Sequence, residues 1–448
     1  MKNKLLFLVT IASILTLCGC NNNHTSDVIK GGYSEEVITF SKEDGPHYIG
    51  GYTQGQEITG VLDYQYAKAF YLNYYGNDVL MISIDAIGLS SDYVAKIRKG
   101  INYKCPVNVM STHTHAGIDT LGLWGKTGFD GKNKAFNDRL VKLAVKAGND
   151  AINNALEGKL TYGKIKTEGI LRDSREPYVY DENIYQLKFI PINGSNTRMM
   201  FFGAHAESLR GDNTLLSADF PSVIAKNIKE KTGDNFIFFN GAIGGLIMTK
   251  IFDDQDNINN MKITGDKISE YLLNIKEEEI KTGNLKYVNV KFKVQLDNVI
   301  YRYYKFLGIL NNKTTRNIFT GKYYFHTELS ILKINNLYFG LIPGEIFPEL
   351  VTGGSFINPN VSHKNPDTLK DIASRYNIDN LIIVGLANDE IGYIVPPSDY
   401  VLDKDYPYLK TKDDEFGENH YEETNSPSID AAYKVAKYFE KACNKISR

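Results

Sequence analysis

The stretch VNVMSTHTHAGIDTLGLWG, Val107 to Gly125, opens as a strand and ends as a loop. Val107 and Val109 alternate with polar positions, and a Gly-containing run follows. Between the two lie His113 and His115, two of only eight histidines in the chain. Residues i and i+2 of a strand share a face, so the pair is expected on one side of a strand end. Two imidazoles there can both bind a metal, or one can bind while the other works on a substrate. Hydrogen-bonded core histidines are the competing reading.

Working outward, buried-looking strands run into polar loops at three more places. TRMMFFGAHAESL delivers His205 among small residues. YFGLIPGEIFPEL delivers Glu345, a carboxylate that is costly behind an apolar strand unless paired, bound to a cation or favoured by a following helix dipole. LIIVGLANDEIGYIVPP delivers Tyr393, which by itself reads as structural. Four strand ends that each offer a donor point to one cleft at the ends of a sheet.

Elsewhere, helical spacing covers SSDYVAKIRKGI, NKAFNDRLVKLAVKAGNDAINNAL, FPSVIAKNIKEKTG, residues 260–285, PDTLKDIASRYNI and SPSIDAAYKVAKYFEKACNKI. Strand-like runs alternate with them. Asn77–Asp78 and Asn335–Asn336 are read as turns. The pattern predicts an α/β protein in which mixed β-sheets are layered with helices in one large catalytic domain, residues 41–448. The run YRYYKFLGILNNKTTRNIFTGKYYF, Tyr301 to Phe325, is basic, aromatic and poorly periodic. It reads as an irregular surface insertion, or as a lid or membrane-facing lip.

Net charge is −2 over 448 residues, so nothing argues for nucleic acid. The N-terminus carries Lys2 and Lys4 and an apolar run from Leu5 to about Leu17, too short to span a bilayer. It reads as a signal peptide over residues 1–19. Leu17-Cys18-Gly19-Cys20 resembles a bacterial lipobox, in which Cys20 takes the lipids. Residues 20–40 are then a tether, and the protein is expected as an exported lipoprotein anchored in the bacterial cell envelope. The competing reading is an ordinary secretory signal. The remaining cysteines, Cys105 and Cys443, form no disulfide framework or thiolate metal site, so a metal would be held by His, Asp, Glu or Tyr. HExxH, Walker A and GxSxG motifs do not occur, and DDQDNIN at Asp253 reads as a solvated loop.

Taken together, STHTHAG, GAHAESL, IPGE and NDEIGYIVPPSDY resemble the neutral/alkaline (non-lysosomal) ceramidase family. Its members are zinc amidases that cut ceramide to sphingosine and a fatty acid. EITGVLDYQYAKAFYL is similar to the family's TGVHDPLYARAL stretch. The likeness spans roughly residues 45–440, with no counterpart of the C-terminal immunoglobulin-like domain. It implies Zn²⁺ held by His113, His205, Glu345 and Tyr393, with His115 touching the substrate or the reacting water. It implies Arg175, in DSREP, near the scissile carbonyl in the place of the family's NRSP arginine. The family's GDVSPN motif carries a serine proposed to act in catalysis; here Ile247 stands at that position. The expectation is therefore hydrolysis of an amphipathic lipid amide at a membrane surface by zinc-bound hydroxide, without an acyl-enzyme. The alternatives are a zinc hydrolase of the same fold acting on another N-acyl amide or an ester, and a solute-binding lipoprotein with two hinged lobes and no metal.

Overall fold

The computed structural model describes residues 28–281 and 283–448. The signal segment, Cys20 and the start of the expected tether lie outside the described residues. The rest of that tether does not behave as one. Ile29–Ile38 is a full strand, β1, paired along its whole length with the next long strand and at its start with a third. Gly32 lies against the end of the helix Lys134–Asn153 at Ala151 O, and Gly31 and Tyr33 face the cluster beneath the sheet, so the folded domain includes Ile29–Ile38.

The larger sheet has nine strands. Eight form a continuous path: β1, β2 (Gln65–Tyr74), β3 (Asn77–Ile84), β4 (Val107–Ser111), β5 (Leu156–Lys166), β6 (Asn183–Pro191), β7 (Thr197–Phe202) and β8 (Asn235–Asn240), in the order β8-β7-β6-β5-β1-β2-β3-β4. Most neighbours are antiparallel, but β3–β4 and β7–β8 are parallel, each joined through a helix. The β2–β3 hairpin turns at Tyr75–Gly76, not at Asn77–Asp78 as expected. Both turn residues have positive φ, 52° and 85°, which a type I′ turn requires and which Gly76 supplies without strain. Asn77 is thus the first strand residue, facing Tyr74.

Helices α1 (Ser91–Gly100), α2 (Lys134–Asn153), α3 (Phe220–Thr232) and α4 (Asn257–Leu273) cover the outer face of this sheet. The last is shorter than its apolar spacing predicts. Asn274 caps it, and Glu278–Glu279 then pairs with β5.

A second sheet, β9 (Leu285–Leu296), β10 (Tyr323–Ile334), β11 (Leu337–Leu341) and β12 (Leu381–Val384), packs on the inner face. Thr314–Arg316 pairs with β10 at its edge. The Asn335–Asn336 turn joins β10 to β11 as expected, with Asn335 at φ 56°. Apolar residues alternate toward the seam between sheets. Phe201 and Phe239 stack at 5.1 Å, and Phe339 from the second sheet meets Phe201 at 4.9 Å. The outer face of the second sheet is covered by α5 (Val299–Phe306), α6 (Leu369–Ser374) and α7 (Asp430–Ile446), the last burying Val435, Phe439 and Cys443.

The result is a helix–sheet–sheet–helix stack, not two hinged lobes. Among the described residues no helix is long and apolar enough to cross a membrane. The loops after β4, β7, β11 and β12 meet at one end of the stack. His115 N–H donates to Ala206 O, Asn388 N–H to Val109 O, and Gly385 N–H to Asn240 O.

Candidate functional site

His113 and His115 do not lie on a strand face. β4 ends at Ser111, and His113 takes φ 61°, a left-handed conformation that costs a non-glycine residue of order 1 kcal/mol. That bend, with His113 N–H bound to Ala86 O, turns both rings into one cavity. Their centroids lie 4.8 Å apart, and His205 lies 4.8 Å from His113 and 5.4 Å from His115. One ligand atom from each of the three buried histidines lies within 4.8 Å of the others. The three histidines thus converge through a bend of the chain and not through a shared strand face.

His205 follows the end of β7. Asp219 fixes its loop by accepting from Ser208 and Leu209 N–H, and Ile247 O accepts its backbone N–H. Glu345 and Tyr393 sit side by side in register in a two-residue parallel ladder with Ile346 and Ile394.

The histidine tautomers follow from their outer partners. His113 Nδ1–H donates to Ile87 O at 2.6 Å, and His205 Nδ1–H donates to Ile247 O at 2.9 Å. Each Nε2 is thereby left with a lone pair. These two atoms lie 3.3 and 3.2 Å from the same oxygen, Glu345 Oε2. Three buried lone-pair atoms facing one another repel unless a proton or a cation lies among them. Burial works against the Glu345 charge, but His113 and His205 hold its pKa below the usual range. Burial also disfavours a charged His205, which contact with Glu345 counters. Two imidazoles and a carboxylate, each imidazole steered by a carbonyl on its far side, are a donor set that fits a divalent cation. Tyr393 lies beside them; burial first, then the Glu345 charge, keeps its phenol protonated.

His115 stands slightly apart. Its Nδ1 is 3.6 Å from Glu207 Oε2, and Tyr52 donates to that oxygen at 2.9 Å. Burial, then His113 and His205, push its pKa well down, so its ring is neutral. Gly51 makes this approach possible. A Cβ there would sit 2.6 Å from His115 Nδ1, and Gly51 has φ 122°.

The cavity above these groups measures about 640 Å³. Its walls include Leu121, Leu123, Trp124, Ile300, Leu310 and Phe325. Asp119 braces the first of these by accepting from the N–H groups of Leu121, Gly122 and Trp124. The run from Tyr301 to Phe325 is therefore one wall of the cavity. Its outer side bears Phe306, Ile318 and Phe319, 84%, 83% and 92% exposed.

Arg175 departs from expectation. Its guanidinium is not part of the cavity lining. It is buried against Asp399 at 2.8 Å and Glu423 at 2.7 Å, with Glu422 at 3.4 Å, and it lies over the Phe347 ring at 5.3 Å. With three carboxylates around it, it is held away from any substrate carbonyl. It instead fastens the turn that presents Tyr421 to the cavity. Ile247, at the position of the family serine, points its side chain into the core and serves through its carbonyl on His205.

Sequence reasoning missed Tyr52, Glu207, Tyr301, Glu390 and Tyr421 in the lining. Glu207 and Glu390 lie inside the quoted GAHAESL and NDEIGY motifs, two and three residues from His205 and Tyr393. Their spacing to those donors was the available signal. Tyr52 and Tyr421 carry none.

No protein-family profile matches the chain, and no curated protein matches it by sequence. Among solved structures it is similar to a neutral ceramidase from Pseudomonas aeruginosa, at 14% identity and a TM-score of 0.68, over 94% of this chain and 74% of that one. It is similar to a ceramidase complexed with C2, at 14% identity and a TM-score of 0.67, over 94% and 75%. The four-layer stack has the fold of these neutral ceramidase structures.

Proposed function

We propose that this chain is a zinc-dependent amidase related to the neutral ceramidases, hydrolysing the N-acyl amide of ceramide or a similar sphingolipid to a fatty acid and an amine. The observation that carries this is the convergence of His113 Nε2, His205 Nε2 and Glu345 Oε2 at the floor of an apolar and aromatic cavity. Two nitrogens, a carboxylate and the adjacent Tyr393 suit zinc better than magnesium or calcium, which prefer oxygen alone. Bound there, zinc would lower the pKa of a water and polarise the amide carbonyl.

The residues supply the rest. His115, with Nδ1 3.6 Å from Glu207 Oε2 and its ring kept neutral by burial, would be the proton acceptor for the attacking water. It then returns that proton to the departing nitrogen as the C–N bond breaks, leaving a carboxylate and an amine. The Tyr421 phenol, protonated because buried, can donate to the oxyanion. Among the described residues no serine or cysteine lines the cavity and Thr53 is its one aliphatic hydroxyl, so the reading keeps direct hydrolysis without an acyl-enzyme.

A lipid substrate fits the aromatic lip. Phe306, Ile318 and Phe319 project from the segment whose inner side lines the cavity, so a membrane laid on them would open onto the site. A lipidated Cys20 in an envelope lipoprotein would hold the enzyme at such a surface.

A second reading, another N-acyl amide or an ester, draws on Ile247 at the serine position and on the extra carboxylates of the cavity. The test is zinc content measured together with turnover of a ceramide and a panel of N-acyl amides and esters, against His113→Ala. A protein that binds no stoichiometric zinc and cleaves none of them refutes the proposal.

A further inference from the structure

The face that β2 and β3 turn toward the seam runs on past the apolar core. Along β2, Leu72 and Phe70 give way two residues at a time to Lys68 and Tyr66, and along β3, Val79 and Met81 give way to Ser83 and then Asp85. These polar residues line a second cavity of about 550 Å³ that shares no lining residue with the histidine cavity. Its far wall is α3 and the edge strand β8, whose Phe236 and Phe238 carbonyls accept from Lys68 Nζ at 3.2 Å and Ser83 Oγ at 2.6 Å. Leu62, Val223 and Met261 make the lining partly apolar.

The charges of this cavity are sorted by end. Asp63 accepts from Ala218 N–H, just before α3, and Asp85 lies beside Thr112, whose carbonyl accepts from Asn240 at the end of β8. Lys68 lies by Phe236, and Lys229 donates to Gly233 O and Asn235 Oδ1, where α3 ends and β8 begins; Lys226 lies one turn before it. Register sets Lys68 opposite Ser83, two residues from Asp85, or about 7 Å along the strands. Among the described residues Asp63, Asp85 and Lys68 form no ion pair, so each end is left without a counter-charge. Glu35 stands exposed at the mouth, engaged by the Tyr33 hydroxyl, and Asp234 is taken by Arg198 at 2.7 Å. Burial lifts the Asp63 and Asp85 carboxyls only to about 6, so both are charged at pH 7.5. Thr112 Oγ1, in a residue 2% exposed, makes no hydrogen bond of ordinary geometry and lines the same end. No group of three metal donors forms here among the described residues.

We propose that this second cavity binds a small free zwitterion, its ammonium toward Asp63 and Asp85 and its anionic group toward Lys68, Lys226 and Lys229. Such a molecule gives each end the opposite charge, and its ammonium supplies the donors that the carboxylates and Thr112 Oγ1 lack. A cation or an anion alone serves one end and leaves the other as it was. The inference stands apart from the amidase reading, since none of these residues reaches the histidine cavity.

The test is calorimetry on zinc-loaded protein at pH 7.5 with 4-aminobutanesulfonate, butylammonium and butanesulfonate, equal chains that carry both charges or one. Sulfonate is a weak zinc ligand, which keeps the probes off the metal site. The zwitterion should bind at least about tenfold tighter than either single ion. Asp85→Asn should remove that advantage from one end, and Lys226→Met combined with Lys229→Met from the other, each by about tenfold or more. The two lysines lie on the outer part of α3, so the double variant folds and decides the matter even where Asp85→Asn does not. A wild-type protein that binds the zwitterion no tighter than the single ions, or binds none of the three, overturns the proposal. So does a folded double variant that keeps wild-type affinity.

Discussion

Replacing Glu345 by Gln tests the metal centre directly. The substitution keeps the side-chain shape and removes the negative charge from the group whose Oε2 lies within 3.3 Å of both His113 Nε2 and His205 Nε2. A ligand that binds only the folded state stabilises it by RT ln(1 + [L]/Kd), about 2.7 kcal/mol at 100 times Kd. Unfolding entropy near 2.1 cal/mol/K per residue amounts to about 0.9 kcal/mol/K for 448 residues. Zinc at that concentration should therefore raise the Tm of chelator-stripped wild-type protein by about 3 °C. Outer partners of metal ligands alone are worth 10–100-fold in affinity, so losing the shared carboxylate should weaken binding at least about 100-fold. At the same zinc concentration the variant is then at most half-occupied. Its gain falls to about 0.4 kcal/mol, or under ~0.5 °C. The assay is differential scanning fluorimetry with a zinc series in a weakly chelating buffer, at pH 7.5. A variant that keeps the full 3 °C response would show that Glu345 is not a ligand and that the three lone pairs are reconciled by a proton instead.

His115→Ala should retain the zinc-induced rise in Tm while turnover drops about 10²–10⁴-fold, since a general base contributes on that scale; loss of the zinc response would move His115 into the ligand set. Glu349 is buried, and burial, then Asp173, push its carboxyl up to about 8 from an unfolded value near 4.5. The folded state binds that proton more tightly, so the associated stability is complete below about pH 4.5 and is lost as pH climbs to 8. The full swing is at most about 5 kcal/mol. Glu349→Gln should therefore raise Tm by several degrees at pH 8.5 and by little at pH 5, and a pH-independent difference would contradict this. Phe306→Ser combined with Phe319→Ser should lower turnover of vesicle-borne substrate about tenfold or more and leave a soluble short-chain amide unaffected; equal loss on both would assign the pair to folding rather than to the lipid surface.

The long elements were legible in the sequence because one buried face imposes a period. β4, β7, β10 and α7 carry it plainly, and their residues pack where the spacing places them. What failed was local. The β2–β3 turn fell at Tyr75–Gly76 because a single glycine's tolerance of positive φ outweighed the Asn–Asp pair beside it. Ile29–Ile38 was hidden because Gly31, Gly32 and two glutamates dilute its alternation, although its partners bury it. The donors of the site were found through motifs at strand ends. Arg175 was misplaced because a sequence cannot show that Asp399, Glu422 and Glu423, more than 200 residues away, would enclose it.

The backbone around the site explains why the cluster can exist in a chain with so little likeness to its structural neighbours. His113, Asp219, Leu246, Leu386 and Asn388 all take positive φ, and all lie in the loops that carry or brace the donors. Only Asn and Asp tolerate this readily; for His and Leu each instance costs of order 1 kcal/mol. A regular strand ending would have kept His113 and His115 on one face of an extended chain, without the bend at His113 that brings both rings to His205. The bends persist because hydrogen bonds across the loops over-determine them: His113 N–H to Ala86 O, His115 N–H to Ala206 O, Leu386 N–H to Gly344 O and Asn388 N–H to Val109 O. Ala86, Ala206 and Gly344 lie just beyond the ends of β3, β7 and β11, and Val109 lies within β4, so each partner is held by the sheets. The strain is thus concentrated on the residues that must converge, and the sheets beneath supply the rigidity. Any sequence that fills the seam and keeps these few bonds can hold the loops in place, which is how a fold shared at 14% identity can persist.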